Sequence, residues 1–194
     1  MKIIAILLVY FSCAYGLPNI YTNDDLRICK DNAYTYNLAM WCIESKDTAI
    51  MYADAVGRYC KKYGLRSDLI ARQIFRESFY SFRLISRKGA RGPCQITPFP
   101  EHDKLFRKAE KYNDTVPVLE QYHWIYPSVE VMCMIMRGLV DKYRSYDMAL
   151  IGYWCGEYSV EMRGYISNTF DFQKTDYYKY VAVEGYIEKY IMGL

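Results

Sequence analysis

The stretch Ser67-Asp68-Leu69-Ile70-Ala71-Arg72-Gln73-Ile74-Phe75-Arg76-Glu77-Ser78 decides the fold class. Ser67-Asp68 is a helix start, and Leu69, Ile70, Gln73, Ile74 and Glu77 recur at three- and four-residue steps. That period gathers them on one face of an amphipathic helix. The same period runs upstream from Lys46 through Ala49, Tyr52, Ala53, Val56 and Cys60, and Gly64 stands where that helix would stop. Downstream, Ser128 is a candidate cap for a helix with Met132, Met136, Leu139, Val140 and Tyr143 inward. Further helices fit Met148 to Tyr153 and Asp176 to Ile191. No segment alternates as strands do over any length. The expectation is a mostly α-helical single domain, with residues 17–45 irregular and Leu17-Pro18-Asn19 and Asn23-Asp24-Asp25 read as turns, residues 17–48 an N-terminal extension and residues 49–194 the domain proper.

Composition agrees with a folded chain and excludes several classes. Of 194 residues 52% are hydrophobic and 24% charged, which rules out a disordered tail protein. A net charge of +3, from 25 basic and 22 acidic residues evenly mixed, gives no nucleic-acid footprint. The 22 tyrosines point to faces or clefts rich in amphipathic rings without naming a ligand. The two histidines, His102 and His123, sit in no partner motif for a cysteine nucleophile. There is no C-x-x-C or close Cys/His pair for zinc and no Gly-rich phosphate loop, so no cofactor is expected.

Glu77 stands out because it lies on the inward face. Its helical neighbours at three and four residues, Gln73, Ile74, Tyr80 and Ser81, include no cation, so no local ion pair accounts for it. A carboxyl among aliphatic and aromatic side chains has its ionised form disfavoured, which raises its pKa and suits it to donate a proton. Pairing with a distant arginine such as Arg83 or Arg91 is the plain alternative. After Glu77 the chain carries no Asp or Glu from Phe79 to Pro100, but has Arg83, Arg87, Lys88 and Arg91. The loop Ser86-Arg87-Lys88-Gly89-Ala90-Arg91-Gly92-Pro93-Cys94-Gln95-Ile96-Thr97-Pro98 is punctuated by glycines, which let backbone approach a ligand closely. The amide of Gln95 both donates and accepts, as recognition of an acetamido group requires.

Together, Ile74-Phe75-Arg76-Glu77-Ser78 and the following Ser86, Gly89-Ala90, Gly92 and Gln95-Ile96-Thr97-Pro98 resemble the soluble lytic transglycosylase family, whose fold is lysozyme-like and related to goose-type lysozyme. Tyr63 to Ile70, Ala149-Leu150-Ile151-Gly152-Tyr153-Trp154-Cys155-Gly156 and Tyr180-Val181 are similar to further elements of that family in the same order. Three departures stand out: Pro93 and Cys94 replace Leu and Met of the family loop, Trp154 replaces an Asn, and Cys155 replaces an Ala. The resemblance implies cleavage of the β-1,4 bond between N-acetylmuramic acid and N-acetylglucosamine in peptidoglycan, giving a 1,6-anhydro product. Glu77 would be the catalytic acid and base. Ser78, Gly92, Cys94, Gln95, Ile96, Tyr153, Trp154 and Tyr180 would bind substrate, with Tyr153 also hydrogen-bonding toward Glu77. Trp154 either stacks on a sugar face or packs in the core. Cys94 and Cys155 lie in motifs that share one groove in the family, which makes a disulfide between them a hypothesis. A goose-type hydrolase, or a non-catalytic peptidoglycan- or chitin-binding protein on the same scaffold, are the alternatives. The acid-free run from Phe79 to Pro100 favours the transglycosylase, with Glu101, Asp103 and Asp171 as the remaining acids to place.

Residues 1–16 read as a secretory signal: Lys2, an apolar run from Ile3 to Phe11, then Ala14-Tyr15-Gly16. The run is too short to span a bilayer, and no stable membrane insertion is expected after cleavage. Removing it discards Cys13 and leaves Cys29, Cys42, Cys60, Cys94, Cys133 and Cys155 for an oxidising compartment. The expected product is an exported monomer, periplasmic or extracellular, whose partner is the glycan strand.

Overall fold

The computed structural model describes residues 23–157 and 159–192. The proposed signal at 1–16, with Cys13, lies outside them. Among the described residues the architecture is helical throughout: α1 (Asn23–Asp31), α2 (Ala33–Cys42), α3 (Lys46–Tyr63), α4 (Ser67–Ser78), α5 (Pro100–Phe106), α6 (Val118–Gln121), α7 (Ile125–Tyr143), α8 (Tyr146–Cys155), α9 (Val160–Ile166), a 3₁₀ turn (Phe172–Lys174), α10 (Asp176–Ala182) and α11 (Tyr186–Met192). The only β pairing there consists of isolated bridges between Ile85 and Arg91 and between Arg91 and Ile96. None of these helices is long and apolar enough to cross a membrane.

The two helices with the clearest period form as expected. Ser45 caps α3, its hydroxyl accepting from the Thr48 amide, and Gly64 closes it at φ 62°, where a Cβ would be strained. Tyr52, Ala53, Val56, Tyr59 and Cys60 of α3 are buried against α7, whose inner stripe is Met132, Met136 and Leu139. α4 lies across this pair and packs on α2 and α10. Where α3 meets α7, fully buried Glu130 accepts from Lys62 Nζ (2.6 Å), Tyr63 Oη (3.0 Å) and the Glu110 amide (2.6 Å). Three donors around one carboxylate offset its loss of hydration.

Four expectations are corrected. Within the segment read as irregular, residues 23–31 and 33–42 form α1 and α2, and Leu38 and Ala39 of α2 are core residues. Its Asn23-Asp24-Asp25 cluster, which also signals a turn, opens α1, where the two acids face the positive end of the helix dipole. α7 begins at Ile125, ahead of Ser128, because Pro127 is accommodated in the first turn; the Ser128 hydroxyl donates instead to the Tyr122 carbonyl (2.6 Å). The last helix is split at Val183-Glu184-Gly185, with Gly185 at φ 78°.

Candidate active site

α4 ends at Glu77-Ser78 because the next two residues leave the right-handed region, Phe79 at φ 51° and Tyr80 at φ 60°. Two non-glycine residues there cost about 1–2 kcal/mol each. The cost is offset by full burial of the Tyr80 ring, whose hydroxyl donates to the Ala71 carbonyl (3.0 Å) and whose own carbonyl accepts from Tyr52 Oη (2.8 Å). The sharp exit leaves Glu77 on the last turn of a rigid helix.

Glu77 is partly buried, and Tyr177 of α10 donates to its Oε1 at 3.0 Å. Burial pushes the carboxyl from 4.5 up to about 7, against the opposing Tyr177 hydrogen bond and the charge of Arg76. Tyr177 is itself aligned from below: buried Gln73 donates through Nε2 to the Tyr177 hydroxyl (3.3 Å) and contacts Met136 Sδ (3.5 Å). Since Gln73 supplies the hydrogen on one side, the phenolic hydrogen is directed at Glu77. Oε1 is thereby occupied, and Oε2 is the oxygen left to carry the acidic proton. The distant-arginine alternative is not what holds Glu77; neither Arg83 nor Arg91 bonds to it among the described residues.

The loop facing Glu77 is fastened at two consecutive carbonyls. Ser78 Oγ donates to Pro93 O at 2.7 Å, and Tyr153 Oη of α8 donates to Cys94 O at 2.7 Å. Gly92 sits at φ 69°, so close to Tyr122 that a Cβ would collide with its carbonyl oxygen. Gln95, also at positive φ (49°), turns its amide nitrogen back onto Gly92 O (2.9 Å) and Leu84 O (3.2 Å). Arg91 and Ile96 exchange both backbone hydrogen bonds across the turn.

The structure thus brings most of the expected residues together, but gives several of them different work. Ser78 is 3% exposed and spends its hydroxyl on the loop. Tyr153 anchors Cys94 O, and the hydrogen bond to Glu77 comes from Tyr177, which the sequence reading missed. Ile96 and Cys94 are buried under the loop. No disulfide joins Cys94 to Cys155: both thiols are free, and Cys155 Sγ faces Ile151 O (3.1 Å) and Ser159 Oγ (2.9 Å). Trp154 is 38% exposed and packs among three rings: Tyr177 (centroids 5.7 Å, 26°), Phe172 (5.8 Å) and Phe170 (6.4 Å, 17°). Tyr180 lies over Phe75 and takes the Arg76 guanidinium at 5.7 Å from its ring centre.

Of the acids left to place, Glu101 is exposed in the first turn of α5, Asp103 accepts from Tyr122 Oη (2.8 Å), and Asp171 caps the 3₁₀ turn and pairs with Lys174. No group of three or more His, Cys, Asp or Glu side chains among the described residues converges to hold a metal ion. An open cavity of about 560 Å³ lies elsewhere, lined by residues such as Met51, Asp54, His123, Trp124 and Tyr126; no residue of the Glu77 group lines it. Glu77 is therefore the candidate group: a carboxyl that burial raises to about 7, beside a loop fastened by Ser78 and Tyr153 and a partly exposed Trp154.

No family model, curated protein or solved structure matches this chain.

Proposed function

We propose that this chain is an exported, lysozyme-like enzyme that cleaves the β-1,4 bond of peptidoglycan by the lytic transglycosylase route, with Glu77 as its single catalytic carboxyl. The observation that carries the proposal is the pairing of Glu77 with Tyr177: a carboxyl raised to about 7, partly open to solvent, with one oxygen held and the other spare. A group of that pKa serves as acid and then as base near neutral pH.

In this reading Oε2 gives its proton to the glycosidic oxygen as the C1–O bond breaks. The substrate's acetamido oxygen closes on C1, so the positive charge is met by the substrate rather than by a second enzyme carboxylate. Glu77, now ionised, takes the proton of the muramyl 6-hydroxyl as that oxygen attacks C1 and displaces the acetamido oxygen. The proton is returned to Glu77, no water is consumed, and a 1,6-anhydro ring is left. Ordinary glycosidases hold a second carboxylate at a set distance; the engagement of Asp103 and Asp171 elsewhere supports the one-carboxyl route. The loop from Gly92 to Ile96 would line the saccharide groove, and the exposed part of Trp154 would meet a sugar.

Mass spectrometry of purified peptidoglycan after digestion tests the proposal. Anhydro-muropeptides from the wild type, and none from Glu77→Gln, are expected. Reducing-end products would replace it with hydrolysis, and equal digestion by Glu77→Gln would remove Glu77 from the mechanism.

A further inference from the structure

Between α4 and α5 the chain folds back as a short hairpin whose tip has no role in the site above. Gly92 N donates to Leu84 O, Ser86 N to Ala90 O, and Gly89 N to Ser86 O, each at 2.9 Å. Ser86 Oγ also accepts from Ala90 N (3.0 Å), and Gly89 closes the turn at φ 85°. Arg87 and Lys88 therefore stand at the tip, with Arg83 at its base.

All three cations are exposed, and among the described residues no carboxylate pairs with any of them. No Asp or Glu occurs from Phe79 to Pro100, so the hairpin itself carries only positive charge. Beside the cations three large apolar side chains face water: Phe82 (37% exposed), Leu84 (41%) and Ile85 (52%). A basic face kept only for solubility gives no reason for Leu84 and Ile85 to be outside. A soluble polyanion would meet the charges and leave the apolar groups wet. A surface that takes both at once is an anionic bilayer, where cations sit over headgroups and apolar side chains enter the headgroup–acyl boundary.

We propose that the hairpin tip docks peripherally on an anionic lipid bilayer, with Phe82, Leu84 and Ile85 at the boundary and Arg83, Arg87 and Lys88 over the headgroups. The docking does not depend on the reading of Glu77.

Co-sedimentation of the full chain with vesicles of phosphatidylcholine, alone or mixed with phosphatidylglycerol, tests it. Comparing variants of the same chain cancels any contribution of the apolar run Ile3 to Phe11. The wild type should bind the anionic vesicles far better than the neutral ones, and salt should weaken that binding. Arg87→Gln/Lys88→Gln should lower the partition coefficient roughly 30-fold, at ~1 kcal/mol per cation. Leu84→Ser/Ile85→Ser should lower it at least about tenfold with the charges intact. Exposed positions leave the fold alone, so thermal unfolding of both variants should match the wild type. Failure of the wild type to bind anionic vesicles, equal binding by the variants, or binding to purified cell walls but not to vesicles would each overturn the proposal.

Discussion

Replacing Glu77 with glutamine should stabilise the protein, and only at neutral and alkaline pH. Glutamine has nearly the same volume and keeps an oxygen to accept from Tyr177, so the substitution removes the titration and little else. Burial raises the folded carboxyl from 4.5 to about 7, whereas the unfolded chain titrates near ~4.3. Between those values the folded state holds a proton that the unfolded state releases, so wild-type stability falls as pH rises. The loss begins at the unfolded pKa and levels off above the folded one. At ~1.4 kcal/mol per pH unit it amounts to an upper bound of about 4 kcal/mol. Glutamine carries no such cost. Urea unfolding of both proteins, followed by circular dichroism, should give nearly equal stabilities at roughly pH 4 and a variant more stable by up to about 4 kcal/mol at roughly pH 8. All other groups titrate alike in the two proteins and cancel in the difference. A difference that stays flat across this range, or falls as pH rises, would refute a buried, proton-retaining Glu77.

Three further outcomes follow from the same geometry. Tyr177→Phe removes a donor that favours the ionised carboxylate, so the basic limb of the wall-digestion pH profile should move upward, with a stability loss of about 1 kcal/mol; an unmoved limb would detach Tyr177 from the acid. Gly92→Ala should cost at least about 2 kcal/mol in chemical denaturation, because positive φ and the Tyr122 carbonyl both oppose a Cβ, whereas Gly64→Ala, with open space around it, should cost only about 1 kcal/mol. Alkylation of the native protein should modify the partly exposed thiols Cys29, Cys42 and Cys155 before Cys60, Cys94 and Cys133, which should react only on unfolding; a Cys94–Cys155 cross-linked peptide would contradict the free thiols.

The fold was legible wherever one helix face is wet. α3 and α4 declare themselves because Gly64, Ser67-Asp68 and the three- and four-residue apolar steps are local signals. α2 was not legible: Ala33-Tyr34-Thr35-Tyr36-Asn37-Leu38-Ala39-Met40-Trp41-Cys42 has almost no polar face, since it packs on both α3 and α4 and even exposed Trp41 rests on Phe75 (5.7 Å). Glu77 could be found because what singles it out, an inward position with no cation three or four residues away, lies within about one turn of helix. Its partner could not. Tyr177 is a hundred residues away, and nothing local distinguishes it from the other tyrosines.

The displaced roles of Ser78 and Tyr153 share one physical cause. A loop that takes Gly92 and Gln95 through positive φ turns its carbonyls away from any helix or strand partner, and buried carbonyls must find donors. The nearest hydroxyls are those flanking the acid, so Ser78 answers Pro93 O and Tyr153 answers Cys94 O. Polar residues next to a candidate acid are thus drawn first into holding the neighbouring backbone, and a sequence motif cannot separate that duty from substrate contact. Gln95 repeats the pattern, since its amide nitrogen closes the loop on Gly92 and Leu84. Under the proposed function, what remains to meet a ligand is a short set: Oε2 of Glu77, the amide oxygen of Gln95 and the exposed part of Trp154. A site with so few free groups would draw its selectivity from the shape of the loop, and the demand on Gly92 in the middle of that loop would then be as much a functional constraint as the carboxyl of Glu77.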